Sequence, residues 1–243
     1  MRQVIVIPAR MKGTRLPGKP LIDILGKPMV RHVWERCTRV QPTEDIYVAT
    51  EDEVIEKYCE RNDIKCINTG PADTAIDRLK LFSDIIKADS YINVQGDEPV
   101  INPRDIKTIL DYNIEWPDRV VFGKAKATED EFKDYSKAKV VCDLNGRLLY
   151  SSRAGIPLNN KGMFVSAERA IWIYSFTRES LNQYYNNREK TFYDKIEDNE
   201  IIRFLEIGIP VYCVDVLGNS WAVDEQKDLA IVESIIKNEN NKY

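Results

Sequence analysis

Apolar positions along this chain follow two alternating periods. Val4-Ile5-Val6-Ile7 is an unbroken apolar run of β-branched residues, which predicts a short buried strand. From Pro28 to about Val40 the period becomes helical: Met29, Val33 and Trp34 can share one face, and Pro28 suits a first turn. Ile46-Tyr47-Val48-Ala49-Thr50 predicts a second strand, Glu51 to Asn62 a charged amphipathic helix, and Ile64 to Ile67 a short third strand. Asp73 to Lys87 is helical, with Ile76, Leu79, Leu81, Phe82, Ile85 and Ile86 as its apolar positions. Tyr91-Ile92-Asn93-Val94 is a fourth strand, and Asp105 to Asn113 a further helix. Strands alternating with helices imply parallel βαβ units, hence an α/β fold with a doubly wound, mostly parallel, Rossmann-like sheet.

The second half departs from that rhythm. Val120-Val121-Phe122 predicts a central strand. Lys139 to Tyr150 reads as a β-hairpin, because Asn145-Gly146 lies between two apolar runs. Such an insertion extends the sheet or forms a dimer arm. Ala170 to Phe176 is an apolar strand followed by Thr177 as a helix cap. Ile196 to Glu206 predicts one helix, Val211 to Val216 the final strand, and the segment from Trp221 begins the last helix.

The 243 residues allow one large domain or two small ones. With no linker and no internal repeat, we read a single domain over 1–243, with a hairpin portion at about 135–176. A net charge of −4 provides no basic field for nucleic acid, and no apolar run is long enough to span a membrane. Cys37, Cys59, Cys66, Cys142 and Cys213 are scattered, odd in number and lack a Cys-x-x-Cys spacing, which points to a reduced, cytoplasmic setting.

Chemistry concentrates after the first strand. Residues 8–20 hold Pro8, Gly13, Pro17, Gly18 and Pro20, which forbid a regular helix, together with Arg10, Lys12, Arg15 and Lys19. Four cations in one loop repel each other unless an anion sits among them. At the carboxyl end of a strand in an open α/β sheet, a polyphosphate is favoured over a merely solvated loop. Asn93 to Pro99 places Asp97 and Glu98 after a glycine at another strand end. The pair is either a turn or, beside a polyphosphate, a carboxylate holding Mg²⁺. Arg153 can pair with a substrate carboxylate or satisfy hairpin carbonyls. Glu200 and Arg203 share a helical face and can form an exposed ion pair. Asp224 can serve as an N-cap. His32, the only histidine, falls within a predicted helix and reads as structural.

These stretches resemble the 3-deoxy-manno-octulosonate (Kdo) cytidylyltransferases, the CMP-Kdo synthetases. Pro8-Ala9-Arg10 and Thr14 to Leu21 match that family's opening signature, and Val94 to Pro99 its Val-Gln-Gly-Asp-Glu-Pro. Ser152 to Pro157 is similar to its Ser-Arg-Ala-x-Ile-Pro, Glu200 and Arg203 to its Glu-x-x-Arg, and Asp224 to its second metal-binding aspartate. The resemblance implies a nucleotide-diphospho-sugar transferase fold whose hairpin portion serves dimerisation and the acceptor site. It implies a Mg²⁺-dependent transfer of CMP from CTP to the hydroxyl of an acidic sugar, releasing pyrophosphate, for cell-surface polysaccharide. By the same resemblance Arg10, Arg15, Lys19 and Asp97 are catalytic, and Pro8, Ala9, Arg78 and Gln95 contact the nucleotide. Gln95, Arg153, Tyr174 and Glu200 contact the acceptor, Asp97 and Asp224 hold Mg²⁺, and the protein is a homodimer.

The match is uneven. Where the family has His-Gln-Ser-Gly-Thr-Glu-Arg, this chain has Ala72-Asp73-Thr74-Ala75-Ile76-Asp77-Arg78. Where it has His-x-Gly-x-Tyr, Ala170 and Trp172 replace the His and Gly, and Tyr174 is kept. The expectation is a retained transfer chemistry with a reshaped acceptor pocket. Another acidic acceptor (an amino-sugar acid, a phosphonate or a phosphorylated alcohol) and a CTP-binding protein without turnover are the alternatives.

Overall fold

The computed structural model describes residues 1–13, 16–187 and 189–240, the Asn240 side chain excepted. Its strands and helices alternate as the periodicity requires. Strand β1 (Gln3–Pro8) leads through the basic loop to a small hairpin, β2 (Asp23–Ile24) and β3 (Lys27–Pro28), and to helix α1 (Met29–Cys37). Then come β4 (Ile46–Thr50), α2 (Glu53–Arg61), β5 (Cys66–Asn68), α3 (Ala75–Ile85), β6 (Ser90–Val94), α4 (Pro103–Glu115) and β7 (Val120–Lys126). The second half holds α5 (Glu129–Lys133), β8 (Lys139–Cys142), β9 (Leu148–Ser152), β10 (Glu168–Phe176), α6 (Arg178–Asn186), α7 (Phe192–Glu197), α8 (Glu200–Glu206), β11 (Val211–Asp215) and α9 (Gln226–Asn240).

The main sheet runs β11-β7-β10-β6-β1-β4-β5, and β8 joins it through β10 with β9 beyond. Pairings of β1 with β4 and β6, β4 with β5, and β7 with β11 are parallel. The central β10 is antiparallel to both β6 and β7. Val4 and Val6 face one core with α3, α6 and α8, while Ile5 and Ile7 face the other with α1, α2 and α4. A strand covered on both sides needs apolar residues at every position, which is why β1 does not alternate. Each such side chain contributes about 1.5–3 kcal/mol on burial. Helix α9 closes a third cluster through Val232 and Ile236 against Ile24, Met29 and Val223.

Four expectations need correction. The third strand starts at Cys66, because Ile64 instead ends α2: Asp63 turns left-handed (φ 54°) and the Ile64 N–H returns to the Cys59 carbonyl. The helix expected over Ile196–Glu206 is two helices. Asp198 is left-handed between them, and Asn199 caps α8 by accepting from the Ile201 N–H. Asp224 is not the cap of the last helix, which begins at Gln226 rather than at Trp221 and is preceded by Glu225; Asp228 Oδ2 takes both the Asp224 and Glu225 N–H groups, at 2.9 and 2.8 Å. Glu200 and Arg203 are not an exposed pair: Arg203 is buried and bonds Asp194. The hairpin at Asn145-Gly146 and the Thr177 cap stand as read, Gly146 adopting φ 77° and Thr177 forming a reciprocal capping box with Ser180. His32 is structural, its Nε2 donating to the Ile24 carbonyl at 2.8 Å. Among the described residues, no helix is long and apolar enough to cross a membrane, and all five cysteines are free.

Candidate active site

The carboxyl ends of β1 and β6 lie side by side, because the two strands pair in parallel register. Their loops therefore meet. An added Cβ on Gly96 would lie 2.5 Å from the Pro8 carbonyl oxygen, so glycine is what lets the two loops touch. Between them opens a cavity of about 340 Å³. Pro8, Ala9, Arg10, Lys12 and Lys19 form one wall, Ala72 to Ala75 with Arg78 another, and Gln95 to Asp97 the floor. Arg15 and Thr14, both part of the expected phosphate loop, lie outside the described residues.

The wall at 72–75 is rigid for a local reason. Thr74 caps α3 by accepting the Asp77 N–H, and Asp77 returns a bond to the Thr74 N–H. One turn on, Arg78 is buried and donates to Thr69 Oγ1 at 2.8 Å and to the Gly70 carbonyl at 3.2 Å. Burial lowers its pKa. Its Nη2 makes no hydrogen bond, having only a 3.5 Å approach to Glu51. A buried guanidinium with a spare donor at a cavity wall suits a nucleobase or ribose acceptor.

A second cavity, of about 400 Å³, opens on the other side of Asp97. The two share Gln95, Asp97, Glu200 and Asp224. At the seam Lys19 Nζ lies 2.7 Å from Asp97 Oδ2 and 3.4 Å from Asp224 Oδ1. Asp97 and Asp224 are far apart in sequence, and the Val223 N–H donating to the Asp97 carbonyl at 2.9 Å ties their segments together. An ammonium between two carboxylates marks a place that demands positive charge. Two carboxylates brought together from distant segments fit Mg²⁺, which is usually held by one or two carboxylates plus substrate phosphates. Among the described residues, no group of three or more His, Cys, Asp or Glu side chains could hold a metal ion unaided. Behind the seam, Glu98 is buried against Ser220 Oγ, and burial pushes its carboxyl up to about 7.

The second cavity brings together every expected acceptor residue: Gln95, Arg153, Tyr174 and Glu200. Burial, with Asp77 nearby, pushes the Glu200 carboxyl up to about 7. Arg153 donates to carbonyls, but not those of the hairpin. Its Nε reaches the Glu197 oxygen at 2.7 Å and its Nη2 the Asp198 oxygen at 2.9 Å, holding the α7–α8 break open. Trp172 lines the same cavity and packs against Phe122 and Tyr174, with ring centroids 5.7 and 6.2 Å apart. It sits where β10 slips register against β7, between Ile171 and Tyr174, a bulge that re-aims side chains. Lys137 and Arg169 also line this cavity, and sequence reasoning missed both. Neither lies in a motif; only the pairing of β10 with β7 and β8 brings them here.

A basic cavity that shares the acidic edge of Asp97 and Asp224 with a second cavity fits a nucleotidyltransferase. The comparisons narrow the class. The cytidylyltransferase family profile matches residues 4–216. The 3-deoxy-manno-octulosonate cytidylyltransferase of Escherichia coli is 35% identical over 240 residues, covering 98% of this chain and 97% of that one. The 8-amino-3,8-dideoxy-manno-octulosonate cytidylyltransferase of Shewanella halifaxensis is 34% identical, covering 96% and 98%. A solved CMP:2-keto-3-deoxy-manno-octonic acid synthetase complexed with CTP superposes with a TM-score of 0.92 at 34% identity, over 98% of this chain and 100% of that one. The chain belongs to the cytidylyltransferase family.

Proposed function

We propose that the protein moves a cytidylyl group from CTP to the hydroxyl of an acidic eight-carbon sugar of the Kdo or 8-amino-Kdo kind, releasing pyrophosphate, with Mg²⁺ as cofactor. The observation that carries this reading is the meeting of the two cavities at Asp97, Asp224 and Lys19. The names of the two relatives support the acceptor class. In this reading Arg10, Arg15 and Lys19 hold the triphosphate, while Pro8, Ala9, Arg78 and Gln95 hold the rest of the nucleotide. Gln95, Tyr174 and Glu200 orient the sugar, and Arg153 fixes the α7–α8 wall against which it rests. Asp97 and Asp224 would hold Mg²⁺, which supplies neutralisation of phosphate charge and a lowered pKa for the attacking hydroxyl. Positioning and electrostatics then suffice, and no covalent nucleophile is required. The product would feed glycosyl transfer into cell-surface polysaccharide. Leu144 and Leu149 on the hairpin, with Phe192, Tyr193 and Ile196 on α7, expose apolar surface that a second copy would cover in a homodimer.

One observation favours an acceptor other than Kdo itself. Trp172 and Ala170 replace smaller and polar groups of the resembled family in the second cavity. The test is pyrophosphate release with Mg²⁺ and each of the four nucleoside triphosphates, using Kdo, 8-amino-Kdo and other acidic sugars as acceptors. Turnover is expected with CTP, and Asp97→Asn is expected to lose at least about a hundredfold in kcat, the equivalent of roughly 3 kcal/mol of transition-state stabilisation. CTP binding without turnover for any acceptor would instead favour a nucleotide-binding protein. An Asp97→Asn variant at full rate would remove the metal assignment.

A further inference from the structure

We propose that Lys137 is the anchor for the acceptor's carboxylate and the residue that makes the second cavity select acids. The inference rests on the cytidylyl-transfer reading above. Three cations line that cavity: Lys137, Arg153 and Arg169. Arg153 is committed to the carbonyls of Glu197, Asp198 and Tyr135. Arg169 donates to the Gly218 carbonyl at 2.6 Å, and its charge is already matched by the Glu131 carboxylate, 2.8 Å from an Nε that makes no hydrogen bond. A carboxylate arriving at Arg153 must displace existing bonds, and one arriving at Arg169 must compete with the Glu131 carboxylate, which offsets most of the gain. Lys137 differs. Its ammonium makes no hydrogen bond or ion pair with any described residue; it lies 5.8 Å from the centroid of the Trp221 ring and acts on the buried Glu98 carboxyl only through space.

Its backbone is held in place nonetheless. Lys139 is fully buried, and its ammonium donates to the carbonyls of Asp134, Lys137 and Arg153 at 2.9, 2.6 and 2.7 Å. That one side chain clamps the 134–137 turn to the strand end that carries Arg153. Lys137 is therefore a half-buried cation on a fixed base, facing a cavity otherwise rich in Asp and Glu. A bound anion finds there its only uncommitted positive partner among the described residues. The preorganisation lowers the cost of forming the pair.

The experiment compares the acid with its methyl ester, which keeps the sugar and removes the charge. With CTP and Mg²⁺, Kdo and Kdo methyl ester are the probes, or 8-amino-Kdo and its ester if the wild type turns over only that acid. The wild type should prefer the acid. Lys137→Met, which keeps the stem, should raise the KM for the acid about 10- to 100-fold, the range of one charge-assisted hydrogen bond. It should leave the KM for CTP in place and erase the preference over the ester, while Lys137→Arg restores most of it. The inference is overturned if Lys137→Met keeps the acid preference, or if Arg153→Lys abolishes it while Lys137→Met does not. A wild type that releases no pyrophosphate from CTP with any acidic sugar overturns the function itself, a result visible before any variant is made.

Discussion

Asp194 and Arg203 form an ion pair shut away from solvent, their side chains 0% and 1% exposed. Arg203 Nε and Nη2 both donate to Asp194 Oδ2, at 2.9 and 2.7 Å, and the guanidinium lies 4.3 Å over the Tyr184 ring. The pair joins α7 to α8 across the break at Asp198, one turn from Glu200. Taking both charges out of water costs several kcal/mol each, so the intact pair adds little net stability. Removing one member is different, because it strands a buried charge. Loss of a partner costs about 3–5 kcal/mol in such pairs. Asp194→Asn retains an amide oxygen as acceptor, which puts the expected loss near the lower end, about 3 kcal/mol. For a chain of this length that lowers Tm by roughly 6–12 °C.

Thermal and urea unfolding followed by circular dichroism measures the loss. The Asp194→Leu/Arg203→Met double variant removes both charges and fills the space with apolar atoms. It should fall within about 1–2 kcal/mol of the wild type and above the single variant. A single variant losing under about 1 kcal/mol, or a double variant less stable than the single one, would refute the argument that burial rather than attraction sets the cost.

Two further outcomes follow from the same structure. Gly96→Ala places a methyl 2.5 Å from the Pro8 carbonyl oxygen; forcing the two loops apart should cost about 1–3 kcal/mol and raise the KM for CTP, and unchanged melting together with unchanged KM would contradict the close approach. Glu200 has a carboxyl pushed up to about 7 by burial, against an ordinary 4.5. Between those values the folded state holds the extra proton, so stability contributed by neutral Glu200 is present at low pH and lost as pH rises through about 7. The full shift is worth about 3 kcal/mol, reduced to about 1–2 because Glu200 borders open cavities. Glu200→Gln should therefore match the wild type near pH 4 and be more stable near pH 8; equal melting at pH 8 would argue against it.

What the sequence disclosed was local. The bounds of Ile46–Thr50 came through unchanged, because a β-branched run covered on both faces has one reading. The Asn145-Gly146 turn and the Thr177 cap depend on residues within four positions of each other. The loop of cations and the turn at Asp97 are likewise contiguous, so their chemistry was visible, and the structure brings them into one cavity. What was hidden depends on distant partners. Helix α7 stops at Glu197 where Arg153, far away in sequence, takes the carbonyls of Glu197 and Asp198, and where Asn199 Nδ2 donates to Ser151 Oγ. Asp224 meets Lys19 only because the Val223 N–H, donating to the distant Asp97 carbonyl, ties the two segments together. Lys137 carries no local signal, since the clamp on its turn is completed by the Arg153 carbonyl at the end of another strand.

The largest feature hidden from the sequence also explains why there are two cavities. A purely parallel sheet would end at the carboxyl tips of β1 and β6, leaving one open crevice of the kind that binds nucleotides. Here β10 runs antiparallel beside β6, pairing Phe176 with Tyr91 and Ile173 with Val94. Since Val94 is the last residue of β6, residues 168–172 of β10 project past the tip of that strand. The overhang is held by β7 on one side, from Gly123 to Lys126, and by β8, through Val140 and Lys139. Trp172 and Arg169 sit on it, and the 134–137 turn with Lys137 leads into the β8 that braces it. One reversed strand thus adds a wall beyond the first crevice, and Asp97, at the tip it overhangs, becomes the point where the two cavities meet.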